Sequence, residues 1–295
     1  MASPSPIRDR INTLKAEFDR LSKGKESLLK MIDEAELSEG VFNSNAIENS
    51  TLTLKETEKI LLDLEVSQDV SVREVFEAKN LATVIEYISS KAQTIELNEA
   101  LILLLHQMLL GNIDASVSGR FRKQNEYVRV GTHIAPAPEH IQRLIENTLL
   151  EYSSNMDSYF ADKIAKFHLD FESIHPFNDG NGRIGRVLIN FQLLQLGLPI
   201  IIIRDKEKKA YYSSFGQYRD LKNTKVLEKI ITLSLLESLH KRIAYLSGLK
   251  IIPLVDFEKE GDKSINTLIN SARRQTIPAF REKGVWKIGI AHNIN

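Results

Sequence analysis

The residues best suited to chemistry lie in one twelve-residue stretch, His175 to Arg186, which reads His-Pro-Phe-Asn-Asp-Gly-Asn-Gly-Arg-Ile-Gly-Arg. It combines a titratable base, a carboxylate, a glycine-rich backbone and two arginines. Apolar residues follow at helical spacing up to Gly197, so the glycines precede a helix N-terminus. Such a terminus offers unpaired N–H groups and a positive dipole to an anion. The stretch therefore holds the parts needed to handle a nucleotide phosphate.

Two of these residues have side chains suited to proton transfer and metal binding. The ordinary pKa of a histidine lies near 7, so His175 can take a proton from a hydroxyl nucleophile and is the candidate general base. Asp179 supplies a hard oxygen ligand, and a magnesium ion that bridges nucleotide phosphates needs only one or two carboxylates besides water. Together, His175 and Asp179 predict a general base close to a bound Mg²⁺ ion.

The remaining positions predict an anion site. Gly180 and Gly182 allow backbone conformations closed to other residues and a close approach to phosphate oxygens, and Asn181 can add side-chain hydrogen bonds. Arg183 and Arg186 stand at i and i+3. They are therefore expected to share one helix face and to grip the outer phosphates.

Two other interpretations of this stretch fail. Asp179-Gly180 and Asn181-Gly182 are hairpin-turn dipeptides, but a hairpin needs alternating strands on both sides, and both flanks have a helical period. An EF-hand loop fails because, with either glycine at its sixth position, an aromatic residue falls where an oxygen ligand is required.

The stretch resembles the signature of the Fic family, HPFxDGNGRxxR, at every fixed position. The resemblance extends upstream through Phe171, Glu172 and Ile174, and from Gly119–Arg122 to a second family element near residues 126 to 140. Fic proteins similar to this chain transfer AMP from ATP to a Ser, Thr or Tyr hydroxyl of a target protein. Sister branches transfer UMP or phosphocholine, so the donor nucleotide stays open.

The resemblance implies a role for each matched residue. His175 would be the base and Asp179 would hold Mg²⁺. Gly180 to Gly182 would form the anion hole, while Arg183 and Arg186 would bind the phosphates of ATP. The implied partners are ATP and an unidentified protein target, with the protein itself as one option. Relatives often form dimers, so a homodimer is expected.

A second segment, Ser44-Asn45-Ala46-Ile47-Glu48-Asn49, resembles the family's inhibitory motif [S/T]xxxE[G/N]. In this interpretation Ser44 begins a short helix, and Glu48, one turn later, holds Arg186 away from the γ-phosphate. The competition is physically reasonable because losing one partner of a buried ion pair costs about 3–5 kcal/mol. The alternative is structural, since Asn45-x-x-Glu48 is similar to a capping box. With the downstream signature present, inhibition by residues 44–49 is the favoured interpretation.

Residues 126–138 predict a short hairpin that prolines stop. They resemble the Fic flap, whose exposed edge pairs with an extended segment of the target and positions its hydroxyl. A plain surface hairpin is the alternative, and a solvated rather than catalytic side chain is expected for the histidine. The residues expected to dock the target are Val130, Gly131, Thr132, His133 and Ile134.

Further along the chain, Ala210-Tyr211-Tyr212 resembles the family's adenine-contacting tyrosine pair, with Tyr212 the expected contact. Core filling is an equally ordinary role for two tyrosines. Relatives often continue with an ANxGD-like stretch, which is replaced here by residues 215–223. The details of base recognition therefore stay open.

Composition sets the outer limits of function. With 295 residues, 42% hydrophobic and 26% charged, the chain is expected to be a soluble globular protein with one substantial core and a smaller appendage. Lys plus Arg equals Asp plus Glu at 39 each, so no global field attracts nucleic acid or anionic membrane. The absence of cysteine excludes disulfides and thiolate chemistry, and it is compatible with a reducing cytosol. Without a visible secretory signal or membrane span, a cytoplasmic protein is expected.

The periodicity predicts an all-α class with three regions. Residues 1–95 are expected to form an N-terminal helical region and 247–295 a small helix-turn-helix or winged segment. Residues 96–246 would form the Fic core that the resemblance implies. In the last region, helices are expected over 263–272 and 274–283, and a strand over 284–288. Its modest basic bias is usually only a solvated face, so nucleic-acid binding is not the expected role.

Two rival functions remain open. In some relatives the inhibitory glutamate orients a water that strips AMP from the modified target, which would make Glu48 catalytic. The other rival is a nucleotide-sensing regulator in which the C-terminal segment binds nucleic acid or a protein partner.

Overall fold

The architecture is dominated by helices, so the all-α class predicted from the sequence is confirmed. The structure is a computed structural model that describes residues 5–131, 133–259 and 263–291. The helices are α1 (Ser5–Ser22), α2 (Glu26–Ile47), α3 (Leu54–Glu58), α4 (Val72–Lys91), α5 (Glu99–Leu109), α6 (Ile141–Ser154), α7 (Phe160–Ile174), α8 (Asn181–Gln195), α9 (Lys208–Leu221), α10 (Lys225–Leu246), α11 (Leu254–Glu258) and α12 (Ile265–Arg273).

Helix starts follow local sequence signals. A capping box opens α3, because the Thr53 side chain accepts from Glu56 N at 3.2 Å and Glu56 accepts from Thr53 N at 2.8 Å. Ser71 and Asn98 cap α4 and α5 with their side-chain oxygens. A cap of this kind contributes roughly 0.5–2 kcal/mol.

Helix α8 carries the signature and lies between two apolar clusters. Ile184 and Phe191 pack into a cluster formed mainly with α4, α5 and α7. Ile189 and Leu193 pack into a second cluster with α1, α7, α9 and α10. Each such side chain contributes roughly 1.5–3 kcal/mol when fully buried. Because apolar residues hold α8 on both sides, its N-terminal end has a fixed position.

The expected hairpin is shorter than the sequence predicts. Strands β1 (Arg129–Val130) and β2 (His133–Ile134) are antiparallel and pair only Arg129 with Ile134 and Val130 with His133. One further bond, from Ala135 N to Val128 O at 3.0 Å, extends it. Thr132 lies outside the described residues. Pro136 and Pro138 follow and limit its length, because proline lacks the N–H that a ladder needs.

The C-terminal region has a winged-helix arrangement. Strands β3 (Lys250–Pro253), β4 (Ala279–Glu282) and β5 (Val285–Ile290) form an antiparallel sheet in the order β3-β5-β4, packed against α11 and α12. The helix expected over 274–283 is wrong. Gln275 adopts a left-handed φ of 53°, and Pro278 disfavours helix in the residue before it, so the chain leaves α12 and enters β4.

The tip of the β4–β5 hairpin is anchored on α2. The buried Glu39 carboxylate accepts hydrogen bonds from Lys283 N at 2.9 Å and Gly284 N at 3.2 Å, and it pairs with the Arg204 guanidinium. At the same hairpin, Tyr245 on α10 donates to Glu282 at 2.6 Å. The winged region is therefore joined to α2, the helix that leads to Glu48.

Among residues 5–131, 133–259 and 263–291, no helix combines the length and apolarity needed to cross a membrane.

Candidate active site

His175 stands at the end of α7 in a left-handed conformation, with φ 50°. Its N–H closes the helix on Phe171 O at 2.9 Å. Burial lowers the pKa of the imidazole to about 4, and the nearby Arg122 charge acts in the same direction. The ring is therefore neutral at pH 7 and can accept a proton. Within the described part of the chain, His175 Nδ1 has no hydrogen-bond partner, and Glu172 Oε2 lies 3.9 Å away.

Arg122 ties the signature loop to the flap. Its buried guanidinium donates to His175 O at 2.9 Å, to Glu126 O at 2.8 Å and to Pro136 O at 2.9 Å. The first carbonyl belongs to the candidate base, and the other two border the hairpin. Sequence reasoning matched Arg122 only as part of a family element and assigned it no role. A side chain with five rigidly placed donors suits such a junction better than lysine does.

The signature loop folds around a buried aromatic pair. The Phe177 ring stacks on His106, with centroids 3.7 Å apart and planes 3° from parallel. His106 Nδ1 accepts from Gly119 N at 3.0 Å, so its proton resides on Nε2, 3.1 Å from Asp179 O. His106 is therefore a core histidine with both ring nitrogens bonded. Burial keeps it neutral by lowering its pKa to about 4.

The N-terminus of α8 supplies backbone donors but not the predicted amide side chain. Gly180 is the N-cap, with φ 80°. Both side-chain groups of Asn181 are bonded to Phe177, whose N–H donates to Oδ1 at 2.9 Å and whose carbonyl accepts from Nδ2 at 2.8 Å. The expectation that the Asn181 side chain reaches a phosphate is therefore wrong. The N–H groups of the first helical turn, including that of Gly182, have no partner within the helix.

Asp179 lies at the mouth of the site between two arginines. Arg183 donates to Oδ1 at 3.0 Å, and Arg73 on α4 donates to Oδ2 at 2.6 Å. These two cations help to hold the pKa of the carboxyl below its usual range, against the opposing effect of burial. The Asp179 carboxylate therefore lies at a position where it binds cationic groups.

The two arginines of the signature diverge. Arg183 is buried between Asp179 and Glu77, whose Oε1 lies 3.3 Å from Nη1. Arg186 points instead to the C-terminal end of α2. Positions i and i+3 are neighbours on a helix but about 60° apart around its axis at 3.6 residues per turn. Different neighbours therefore bind the two side chains, contrary to the expectation of one shared grip.

Residues of the 44–49 segment surround Arg186. Ser44 Oγ accepts from Arg186 Nε at 2.9 Å, Ser44 O accepts from Nη2 at 2.8 Å, and Glu48 Oε1 lies 2.9 Å from Nη2. The remaining nitrogen, Nη1, donates to Tyr211 OH at 3.3 Å. Each nitrogen of the guanidinium is thus engaged.

The segment ends a long helix rather than beginning a short one. Ser44 and Asn45 lie in the last turn of α2, and Glu48 is its C-cap. The capping-box interpretation is therefore wrong, because Asn45 does not stand at a helix N-terminus. Neither polar atom of the buried Asn45 side chain has a partner among the described residues. The C-terminal end of α2 thus places residues 44–49 beside the signature stretch.

The Glu48 carboxylate also reaches the start of α8. A Cβ on Gly182 would overlap Glu48 Oε1 and would lie 3.1 Å from Arg186 Nη1. The carboxylate therefore lies directly against the turn whose N–H groups are free for an anion. It contacts Arg186 and the helix terminus at once.

The tyrosine pair divides between core and surface. Tyr211 is buried and its OH lies 2.8 Å from His168 Nε2. Tyr212 is partly exposed and donates to Ile47 O at 2.9 Å, on the same segment that holds Glu48. Lys208 binds that segment too, through Asn49 Oδ1 at 2.7 Å. The predicted adenine contact thus lies beside the inhibitory segment.

Sequence reasoning missed a buried polar cluster behind the base. Glu172 Oε1 lies 3.9 Å from His168 Nε2 and has no hydrogen-bond partner among the described residues. Burial, helped by the charge of Glu48, raises the pKa of Glu172 to about 8. Burial lowers the pKa of His168 to about 3. The i, i+4 spacing of His168 and Glu172, just before His175, was the available signal.

The flap is anchored beside the base. His133 Nε2 lies 2.9 Å from Ser173 O, two residues before His175. The expectation of a solvated His133 is wrong, because its ring holds the hairpin to the end of α7. Ile134 is 71% exposed, and Gly131 is at the turn with φ 60°. Val130 pairs with His133, so four of the five predicted flap residues lie together, and Thr132 is outside the described part.

Comparisons with known proteins agree with the signature. A family model described as Fic/DOC family matches residues 96–193. A "Protein adenylyltransferase Fic" of Nematostella vectensis is 29% identical over 216 residues, which cover 71% of this chain and 49% of that protein. The protein of the same name in Drosophila melanogaster is 32% identical over 210 residues, covering 69% of this chain and 42% of that protein. The chain thus spans about half or less of the length of these relatives.

Solved structures extend the similarity to the fold. A Fic domain containing signaling protein from Bacteroides thetaiotaomicron superposes with a TM-score of 0.71 and 26% identity, covering 81% of this chain and 97% of that chain. A Fic family protein from Desulfovibrio desulfuricans has a TM-score of 0.65 at 20% identity, covering 99% and 98%, and shows the fold alone. With the complete signature and the fold in agreement, residues 96–193 of this chain form a domain of the Fic/DOC family.

Proposed function

We propose that this protein transfers AMP from Mg-ATP to a hydroxyl of a protein, and that Glu48 restrains the transfer. The relatives named protein adenylyltransferase support the activity. The single observation that carries the restraint is the Glu48 carboxylate, 2.9 Å from Arg186 and against the N-terminal turn of α8.

The proposed reaction follows from the roles of three groups. The neutral His175 ring takes the proton of the target hydroxyl on Nε2, since Nδ1 faces Glu172 inside the protein. The hydroxyl oxygen then bonds to the α-phosphorus of ATP, and the bond from that phosphorus to the bridging oxygen breaks. Pyrophosphate leaves. The free N–H groups of α8 and the Arg186 guanidinium hold the phosphate charge, so the protein contributes mainly position and electrostatics.

A bound nucleotide should also raise the pKa of His175. A pKa of about 4 makes His175 neutral but weakly basic. Negative phosphates next to the ring would favour its protonated form and bring the pKa closer to neutrality. The proton affinity of His175 is then greatest when the substrate is in place.

The Asp179 carboxylate fits Mg²⁺ as a single protein ligand, with substrate phosphates as further ligands. In the described part of the chain, no group of three or more acidic, histidine or cysteine side chains could hold a metal ion by itself. Mg²⁺ commonly binds through one or two carboxylates plus substrate phosphates. Asp179 would hold it on that basis, once the exposed Arg73 side chain moves away from Oδ2. Such an ion supplies charge neutralisation of the phosphates.

Glu48 would restrain the reaction by competing for two positions. It neutralises Arg186, whose side chain is only 6% exposed, and it excludes an anion from the turn at Gly182. A nucleotide must displace the carboxylate from both contacts before its outer phosphates can bind. Loss of the carboxylate should therefore raise the rate of transfer.

The test uses the wild type, Glu48→Gly and Glu48→Gly/His175→Ala proteins with α-labelled ATP and magnesium. Label on protein should rise in the single variant and fall by about 10²–10⁴-fold when the base is also removed. Nucleotide binding should persist in the double variant. Glu34→Gly is the matched control, because it weakens the same helix at an exposed glutamate remote from Arg186. If none of the three proteins yields labelled protein although nucleotide binds, AMP transfer would be contradicted.

A second candidate reaction is the removal of AMP from a modified protein. The specific observation is that the Glu48 carboxylate lies against Gly182, in the same signature stretch as His175, so the two groups share one site. In this role Glu48 would orient the attacking water. Wild-type protein should then release AMP from a target that the Glu48→Gly variant has labelled, while that variant itself should not.

We also propose that the protein is a homodimer and modifies itself, on the strength of the family resemblance. Light scattering should then give a mass about twice the 33.5 kDa of the chain. Label on the chain itself in the experiment above tests self-modification.

A further inference from the structure

A groove runs alongside the flap and ends next to the candidate base. It encloses about 500 Å³ and is bounded by His133 and Pro136 of the flap region, by α6 and α7, and by the end of α9. Ser173 and Ile174 are among its lining residues, and His175 follows them directly in the chain. A target strand paired with the flap would therefore continue into this groove.

The acidic groups of the groove are already neutralised. Lys166 Nζ lies 2.8 Å from Glu151 and 2.7 Å from Asp170. Asp170 also accepts a hydrogen bond from Tyr218 OH at 2.5 Å. One cation and one hydroxyl therefore satisfy these two carboxylates within the protein.

Two cations of the groove have no acidic partner in the described part of the chain. Arg219 is half-buried, and none of the residues that the structure describes forms an ion pair or hydrogen bond with its guanidinium. Lys222 lies over the Tyr218 ring, with Nζ 4.8 Å from the centroid. A half-buried guanidinium without a partner favours an anionic ligand, because arginine binds carboxylates through paired donors.

We propose that this groove binds the part of the target next to the modified hydroxyl, and that Arg219 selects an acidic side chain there. The proposal rests on the proposed AMP transfer, since it extends the flap interface of that reaction. The occupant is an extended segment of the target protein. Main-chain pairing with the flap gives little sequence preference, so side-chain contacts in the groove would supply it.

Binding of short peptides tests the groove without requiring catalysis. Fluorescein-labelled peptides of alternating Thr and Val carry one Glu or one Lys at each position on either side of a central Thr. Their binding to the Glu48→Gly protein is followed by fluorescence anisotropy. At least one Glu position should bind about 3- to 10-fold more tightly than the matching Lys peptide, as expected for attraction in one case and repulsion in the other at a partly exposed site.

Charge reversal then assigns the preference to Arg219. Arg219→Glu should reverse it in favour of Lys at the same position. Arg143→Glu makes the same change in net charge at an exposed residue of α6 outside the groove, and should leave the preference intact. Thermal melting shows that both variants are folded.

The outcomes separate this proposal from the function on which it rests. Equal binding of all peptides, a preference that survives Arg219→Glu, or an equal loss in Arg143→Glu would overturn the groove assignment. AMP transfer is read independently, from label on the Glu48→Gly protein. A selective groove without label would leave the docking site in place and reject the reaction.

Discussion

Gly182→Ala tests the position of the Glu48 carboxylate without any assay of activity. The added Cβ would overlap Glu48 Oε1 and meet Arg186 Nη1 at 3.1 Å. The backbone of α8 is held by apolar packing on both sides, whereas Glu48 ends a flexible side chain that is 35% exposed. The carboxylate should therefore move, and its contact with Arg186 should be lost.

The magnitude follows from two opposing effects. A hydrogen bond to a charged group contributes about 1.5–3 kcal/mol, and partial exposure of Glu48 places it at the lower end, about 1.5 kcal/mol. Alanine in place of glycine inside a helix stabilises by roughly 0.5–1 kcal/mol. Gly182→Ala should thus destabilise the wild type by about 0.5–1 kcal/mol, yet stabilise the Glu48→Gly protein by about 0.5–1 kcal/mol.

The assay is a double-mutant cycle in thermal and urea unfolding. A coupling of about 1.5 kcal/mol corresponds to about 3 °C in Tm, at roughly 2 °C per kcal/mol for a chain of this size. Gly216→Ala in α9 is the matched control, because a Cβ there meets nothing within 4 Å. It should stabilise both backgrounds equally. Equal effects of Gly182→Ala in the two backgrounds would refute the placement of Glu48 against α8.

Three further predictions concern the groups that support the site. Arg122→Lys leaves at least two of its buried carbonyl partners without a donor, so it should lower the free energy of unfolding by about 2–4 kcal/mol in urea; an unchanged midpoint would contradict that junction. The pKa of Glu172, raised to about 8, means that the folded state holds a proton which the unfolded state releases above about pH 4.5. Its stabilising contribution is therefore lost as pH rises towards 8. Below about pH 6.5, buried neutral histidines make the protein more stable as pH rises, which offsets the loss from Glu172. Tm should thus fall between pH 6.5 and 8, and Glu172→Gln should flatten that decline; a decline of equal slope in the variant would assign it to another group. Glu39→Gln removes the charge opposite Arg204 and should cost about 3 kcal/mol, with faster deuterium exchange in α2 and in the β4–β5 hairpin together. Faster exchange in α2 alone would show that the hairpin is held by other contacts.

The chemistry of the site could be predicted from the sequence because it lies within one short stretch. Residues 175–186 contain the base, the carboxylate and the glycines, and a local helix start places them together without long-range information. The individual partners could not be predicted. Arg183 and Arg186 look equivalent in the sequence, but Glu77 and Asp179 bind the first while residues of α2 bind the second.

Corrections to the sequence interpretation share one physical cause, which is contact between distant segments. Ser44 lies inside α2 because buried residues continue along that helix as far as Ile47, although the local pattern is similar to a helix start. His133 is bonded to Ser173 across 40 residues, so its exposure could not be inferred from its polarity. Residues 279–282 form a strand because β5 is available to pair with them.

The sequence alone therefore determined the fold class, the family resemblance and the residue types of the site, because periodicity and a contiguous motif are local properties. Only the tertiary structure decided that Glu48 lies against both Arg186 and α8, and that Arg122 joins the base to the flap. It also decided that Arg219 lines a groove and has no partner among the described residues. Hydrogen bonds and ion pairs extend only a few ångströms. Their partners are fixed by how helices pack, and a linear pattern does not encode that arrangement at the level of single atoms.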